Sequence, residues 1–226
     1  MNIKTIASGS GGNAHLVTSG NTTLLLDVGV AFREIQAATD YNTSTIAAAL
    51  ITHRHGDHAK AIPQLTRRGI TVYAPKDVAE HYRGVTIIDS GKTTAIGDFL
   101  ATPFWVPHDV QCFGWELKTQ TEKLVYIVDA EYVPFLFNKL THLMLEANHS
   151  RAVVMERAKE GHISMKLAER IIKSHMSIEA AMTFIKKQDM SHIKEIHLLH
   201  LSNDNSHAEN FKRQVQEETG AEVYVS

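Results

Sequence analysis

The stretch Thr52-His53-Arg54-His55-Gly56-Asp57-His58 decides how the rest of the chain is read. It follows the apolar run 48–52 and precedes a helical pattern. As HxHxDH it gathers four nitrogen and oxygen donors within six residues. Strand side chains alternate with period two, so His53 and His55 are expected to leave a strand end on the same side. Gly56 accommodates a tight turn into Asp57 and His58. Four such donors would be wasteful in a core and mutually repulsive if all were protonated. Binding one or two divalent metal ions explains them economically. A histidine-rich surface loop is the ordinary reading of a lone histidine, but not of this spacing directly after a buried strand.

Outward from that stretch, other residues of ligand type close apolar runs. Asp27 ends Leu24-Leu25-Leu26, Asp129 ends Val125-Tyr126-Ile127-Val128, and His200 ends Ile196-His197-Leu198-Leu199. His108 follows the run that reaches Val106. Loops at strand ends are where sheet scaffolds carry their sites. Taken singly, Asp27 suits an ordinary strand-ending turn equally well; the recurrence points to a site.

Strands are expected over 23–27, 48–52, 71–74, 85–89, 99–106, 124–129, 143–146, 195–200 and 222–225, with a hairpin turn at Ser19-Gly20-Asn21. Helical spacing covers 31–38, 59–68, 75–82, 165–173, 178–187 and 207–219. Ser164 and Ser177 stand where an N-cap hydroxyl would accept from the free N–H groups of a first turn. The mixture predicts an α/β (α+β mixed) fold, with two mixed β-sheets and helices outside them.

Composition bounds the function. The chain has 226 residues, 43% hydrophobic, and no low-complexity stretch or linker divides it, so one domain over 1–226 is expected. Lys+Arg is 23 against Asp+Glu 25, a net charge of −2, which excludes a uniformly basic nucleic-acid coat but not a local basic groove. Lys166, Arg170 and Lys173 recur at helical spacing, with Lys186-Lys187 further on. They read as a solvated helix face or as a surface that tracks phosphates. The single Cys112 excludes an internal disulfide and a cysteine-based zinc cluster, while fourteen histidines favour imidazole and carboxylate ligation. The N-terminus lacks a signal-peptide core, and no apolar run approaches the ~18–20 residues that cross a bilayer. A soluble cytoplasmic protein without a membrane partner is expected.

The series Asp27, His53/His55/Asp57/His58, His108, Asp129 and His200 resembles the five motifs of the metallo-β-lactamase fold superfamily. The flanking segments 7–13 (ASGSGGN), 145–149 (LEANH), 174–177 (SHMS) and 200–205 (HLSNDN) narrow the resemblance to the YycJ/WalJ-type family, related to the nucleases that trim the 3′ ends of tRNA precursors. The resemblance implies a four-layer αββα sandwich with a dinuclear metal site. In it His53, His55 and His108 would hold one divalent ion, Asp57, His58 and His200 the second, and Asp129 would bridge both. Asp57 also counts among the catalytic residues, and Asp27 would support the site through hydrogen bonds. The ions would be zinc first, with manganese or iron as alternatives. A hydroxide held between two metals would be the nucleophile, because the cations depress the pKa of water.

The resemblance further implies cleavage of phosphodiester bonds of nucleic acid, DNA ahead of RNA, with Glu146 and His175 protonating the leaving group. His162 is the competing choice for that acid; the distance of His175 to His200 along the chain favours His175. Substrate contacts would fall among Ser8, Ser10, Asn13, Asn148, His149, Ser177, Ser202 and Asn205. A homodimer is common among relatives. The sequence departs from the family at Ser174 (for Gly), His149 (for Asp) and Ala130-Glu131 (for Thr-Gly), which weakens any transfer of substrate specificity. Only 20 residues separate His108 from Asp129, too few for a long tRNA-gripping arm. Three other functions stay open: a phosphodiesterase of cyclic or other small nucleotides, an ester, thioester or lactam hydrolase, and a non-catalytic binding protein on the same fold.

Overall fold

Runs of β-branched and aliphatic residues set the strands, and the interruptions between them set the loops that carry the site. The computed structural model describes residues 1–202 and 204–226. Asn203, within the HLSNDN segment, lies outside the described residues. Internal packing divides the chain into two units, Met1–Trp105 with Val110–Glu122, and Val106–Asp109 with Lys123–Ser226.

In the first unit, β1 (Asn2–Ala7), β2 (Ala14–Ser19), β3 (Thr22–Leu26), β4 (Ile46–Leu50), β5 (Thr71–Ala74) and β6 (Thr86–Ile87) form one sheet in that order. The first three strands meander antiparallel, and β3 to β6 run parallel. Gly20, with φ 55°, takes the left-handed turn of the β2–β3 hairpin, which glycine adopts without a Cβ clash. Leu24, Leu25 and Leu26 are all fully buried, the continuous apolar run of a strand covered on both faces. On one side Leu25, Ala49, Ile51 and Val72 pack with Ile35 of α1 (Phe32–Ala38) and with Ile62 and Leu65.

The helix expected over 59–68 is instead two short pieces, α2 (Gly56–Ala59) and α3 (Ile62–Thr66). Pro63 stands in the first turn of α3, where its missing N–H costs nothing, whereas inside a longer helix it would break the ladder. α4 (Lys76–His81) follows β5. β7 (Thr94–Ile96) pairs antiparallel with β8 (Phe99–Val106), which lies in this unit up to Trp105, and β9 (Cys112–Lys118) lies beside β8. A Cβ on Gly114 of β9 would stand 2.3 Å from the Phe104 ring, so the strand needs glycine there for close approach.

In the second unit β10 (Lys123–Ile127), β11 (His142–Glu146), β12 (Glu195–Leu199) and β13 (Glu222–Val225) are all parallel, in the order β13-β12-β11-β10. All five residues of β11 are buried. α5 (Arg151–Lys159), α6 (Met165–Ser174) and α7 (Ile178–Lys187) connect β11 to β12, and α8 (Ala208–Thr219) connects β12 to β13. Ser164 caps α6 by accepting from Leu167 N, and Ser177 caps α7 by accepting from Ala180 N. α5 and α6 share a small apolar cluster of Val154, Ala158 and Ala168 with Ile163, Ile171 and Ile172. Because β10, β11 and β12 run parallel, Asp129, Glu146 and His200 all fall at one edge of this sheet, past or at the carboxyl ends of their strands. No helix among the described residues is long and apolar enough to cross a membrane.

Candidate active site

In the first unit the donors lie beyond the strand rather than on it. β4 ends at Leu50, so His53 and His55 belong to the following loop and not to an alternating strand end. The loop is fixed by backbone hydrogen bonds. Asn13 N donates to Asp57 O at 2.7 Å, and Val28 N donates to His58 O at 2.7 Å. Gly29 makes that contact close: a Cβ there would stand 1.5 Å from Asp57 O. The Gly/Ser loop 7–13 is held to the same place by Asn13, whose side chain accepts from Gly9 N at 3.0 Å and donates to Gly9 O at 3.1 Å.

Asp27 organises this cluster. Its Oδ1 accepts from Thr52 N at 2.8 Å and from Thr52 Oγ1 at 3.0 Å, and its Oδ2 lies 2.8 Å from His58 Nδ1. A proton on Nδ1 leaves the lone pair of His58 on Nε2, the atom a metal would take, and the Asn13 amide sits 3.0 Å from it. His53 Nε2 is 3.0 Å from His55 Nδ1, and the rings of His53 and His58 have centroids 4.2 Å apart. Asp57 Oδ2 lies 3.6 Å from His58 Nε2. His53 and His58 are fully buried. The lone thiol, Cys112 Sγ, is 3.8 Å from His53 Nδ1. Crowded imidazoles with an adjacent carboxylate are a donor set for a borderline divalent ion such as zinc, manganese or iron rather than for calcium.

In the second unit two carboxylates face two imidazoles. His175 Nδ1 is 2.8 Å from Glu146 Oε1 and 3.2 Å from Asp129 Oδ1. His200 Nδ1 is 2.8 Å from Asp129 Oδ1 and 3.1 Å from Glu146 Oε1. Glu146 Oε2 accepts from Ala130 N at 3.2 Å and Met176 N at 3.1 Å, so this fully buried carboxylate is anchored by the chain on either side. One ligand atom from each of Asp129, Glu146, His175 and His200 lies within 4.8 Å of the others, close enough to hold a cation.

Burial alone would lower the pKa of His175. The Glu146 charge, with hydrogen bonds to Asp129 and Glu146, overrides it and raises the value to about 10. His200 is likewise depressed by burial but raised to about 9 by Asp129 and Glu146. Burial would raise Glu146, yet the His175 charge and the two imidazole hydrogen bonds hold it below its ordinary value. His108, also in this unit, has Nε2 3.0 Å from Asp109 Oδ1.

The structure brings His175, and not His162, against Glu146. His162 is on the surface with Nε2 3.3 Å from Glu160. The proposed substrate contacts divide. Ser8 is half-buried and Ser10 exposed in the β1–β2 loop. Asn13, Asn148, Ser177 and Asn205 are buried and stitch loops together: Asn148 donates to His200 O at 2.7 Å, and Asn205 donates to Ser202 Oγ at 3.0 Å. His149 is fully buried, neither ring nitrogen finds a hydrogen-bond partner among the described residues, and burial pushes its pKa down to about 4.

Sequence reasoning missed Thr52, whose hydroxyl meets Asp27 and both His53 and His58, and Gly29; their places beside the motif were the only signals. It also missed the backbone of three ligand-type residues. Asp27, Asp129 and His200 have φ of 53°, 51° and 56°, the left-handed region in which a side-chain-bearing residue is strained. Each turns the chain sharply where its strand has just ended.

Residues 22–198 match the model of the Beta-lactamase superfamily domain, and the chain belongs to that family. The chain superposes on the metallo-β-lactamase fold protein YhfI from Bacillus subtilis with a TM-score of 0.77 at 18% identity, covering 99% of this chain and 95% of that one. The fold is therefore the metallo-β-lactamase fold, with two mixed sheets and helices. The chain is 27% identical over 223 residues to the exodeoxyribonuclease WalJ of Streptococcus pneumoniae, covering 89% of this chain and 81% of the relative. It is 27% identical over 226 residues to the exodeoxyribonuclease YycJ of Bacillus anthracis, covering 91% and 84%. Within the family it is a YycJ-like, metal-dependent hydrolase.

Proposed function

We propose that this protein is a dinuclear metal-dependent nuclease that hydrolyses phosphodiester bonds of DNA. The observation that carries the reading is the Glu146–His175 pair, 2.8 Å apart at the same sheet edge as Asp129 and His200. On the family's pattern His53, His55 and His108 would hold one ion and Asp57, His58 and His200 the other, with Asp129 among the ligands. When bound, the ions lower the pKa of water and polarise the phosphate.

The remaining chemistry belongs to the chain. Asp27 and Thr52 fix the tautomer of His58, so that it offers Nε2 as a ligand. Glu146 holds His175 protonated and aims the ring. Cleavage of a phosphodiester expels an alkoxide, a stronger base than imidazole even at the raised pKa of His175, and His175 gives it a proton. The buried Glu146 stays charged throughout and needs no proton of its own. Hydrolysis of an ester, thioester or lactam would leave this pair without a task that acyl chemistry in this fold requires.

The relatives named as exodeoxyribonucleases support DNA as the polymer. The test is cleavage by metal-loaded protein at neutral pH of bis(p-nitrophenyl) phosphate, single- and double-stranded DNA, RNA and cyclic nucleotides, with His53→Ala as control. Metal-dependent DNA cleavage absent from the control is expected. Turnover of a lactam or thioester with all phosphodiesters untouched would overturn the reading, and turnover of cyclic nucleotides alone would replace DNA with a small substrate.

A further inference from the structure

A cavity of about 340 Å³ opens in the second unit, walled in part by Tyr132, Arg151, Glu179, Thr183, Phe184 and Lys187. Three segments of the candidate site continue directly into its walls. Tyr132 follows Asp129 by three residues, Arg151 follows Glu146 by five, and Glu179 follows His175 by four. Three extended residues reach at most about 11 Å, so Tyr132 stands within a few nucleotides' rise of Asp129.

The cavity's chemistry is distinctive in a chain of net charge −2. Arg151 opens α5 and Lys187 closes α7, both exposed, and neither forms an ion pair among the described residues. Glu179 is the one acidic group in the lining. Its carboxylate is already engaged, accepting from Ser150 Oγ at 3.0 Å and Arg151 N at 3.4 Å, where it caps α5. Two uncommitted cations therefore face one committed anion. Tyr132 presents about half its surface, 51%, while Phe184 forms a buried floor. Unpaired cations beside an exposed aromatic ring are the combination that holds a phosphate and stacks a base. The segment that carries Tyr132 follows Ala130-Glu131, where this chain departs from its family's Thr-Gly.

We propose that this cavity binds a nucleotide of the nucleic-acid strand adjacent to the bond being cleaved, with Arg151 and Lys187 on its phosphate and Tyr132 against its base. The inference rests on the phosphodiesterase reading and adds to it the path of the strand.

The experiment measures binding apart from catalysis. Fluorescence anisotropy follows a labelled twelve-residue oligothymidylate in chelator, over a series of salt concentrations, with wild type, the double variant R151Q/K187Q, Y132A and the conservative R151K/K187R. Circular dichroism monitors the fold of each. The double variant should bind about tenfold more weakly, with a slope of log K against log salt that is smaller by about 0.7 for each phosphate no longer neutralised. Y132A should also lose about tenfold. R151K/K187R should keep most of the affinity, and thymidine monophosphate should compete far less well than the oligonucleotide.

With metal restored, the ratio of oligonucleotide cleavage to bis(p-nitrophenyl) phosphate cleavage should fall about tenfold in the double variant, in step with its affinity. A folded double variant that binds with wild-type affinity and salt slope overturns the subsite. So does equal competition by the mononucleotide, which would make the cavity a site for free nucleotides. Wild-type protein that binds the oligonucleotide through these residues but cleaves no phosphodiester would overturn the catalytic reading and leave the subsite standing.

Discussion

The two clusters of ligand-type residues are built on opposite principles. In the first unit one buried carboxylate, Asp27, bonds Thr52 and one of a row of imidazoles close in sequence, and its hydrogen bonds set which nitrogen of His58 stays open. In the second unit two carboxylates, Asp129 and Glu146, face two imidazoles drawn from the ends of separate segments, and their negative charge raises the pKa of both rings, that of His175 to about 10. The first arrangement suits ligation, because a ligand must offer a lone pair. The second suits proton storage at His175 beside the ligand-type pair Asp129 and His200. Cation binding and proton donation call for different environments, and the chain builds each from a different part of its sequence.

The comparison breaks most severely if the ligand-type residues of either unit are not needed. His53→Ala and Asp129→Ala should each abolish metal loading and turnover, and a chelator should do the same to wild type until zinc or manganese is restored. Elemental analysis of the purified variants checks loading directly. Full metal content in His53→Ala would remove the first cluster from the site.

The next largest effect tests the proton-storage half. His175→Ala should keep its metals but slow turnover by roughly 10²–10⁴, whereas the surface residue His162 should be replaceable by Ala with little loss. The reverse result would hand the acid role to His162. Glu146→Gln removes the charge that holds the His175 proton, so the alkaline limb of the rate profile should move to lower pH. An unmoved limb would detach that limb from this pair.

A smaller effect concerns stability. His149 has a folded pKa of about 4 against 6.5 for an ordinary histidine. Below pH 6.5 the unfolded chain takes up a proton that the folded chain refuses. The contribution of a neutral His149 is therefore complete above pH 6.5 and is lost as pH falls toward 4, by at most about 1.4 kcal/mol per pH unit. Denaturant unfolding across this range should show the slope in wild type and a shallower one in His149→Asn. The smallest expected change is Ser164→Ala, which removes the cap of α6 and should cost about 1 kcal/mol in the same measurement, without altering metal content.

Much of this was legible in the residues. HxHxDH is contiguous, so its spacing alone announces a ligand cluster, and continuous apolar runs such as Leu24-Leu25-Leu26 announce buried strands. Expected strands at 71–74 and 99–106 match β5 and β8 in extent. Less legible were β1, where Asn2 and Lys4 are exposed, β2, which sets the buried His15 among its apolar residues, the three-residue β7, and β9, interrupted by Gly114. Helix α5 also passed unnoticed, because Arg151, Glu156, Arg157 and Lys159 break its apolar pattern and only Val154 and Ala158 are buried. The His53–His55 pair was expected on a strand end, but the strand stops three residues earlier.

The order of residues thus determined the donor types, the strand ends that carry them and the N-caps of α6 and α7, since each depends on neighbours within a turn or a strand. Folding decided which proton goes where. Glu146 lies 29 residues from His175 and 54 from His200, yet one oxygen of it meets both rings. Long-range pairing of parallel strands sets those distances, and burial makes each charge felt. Neither leaves a local signature in the chain.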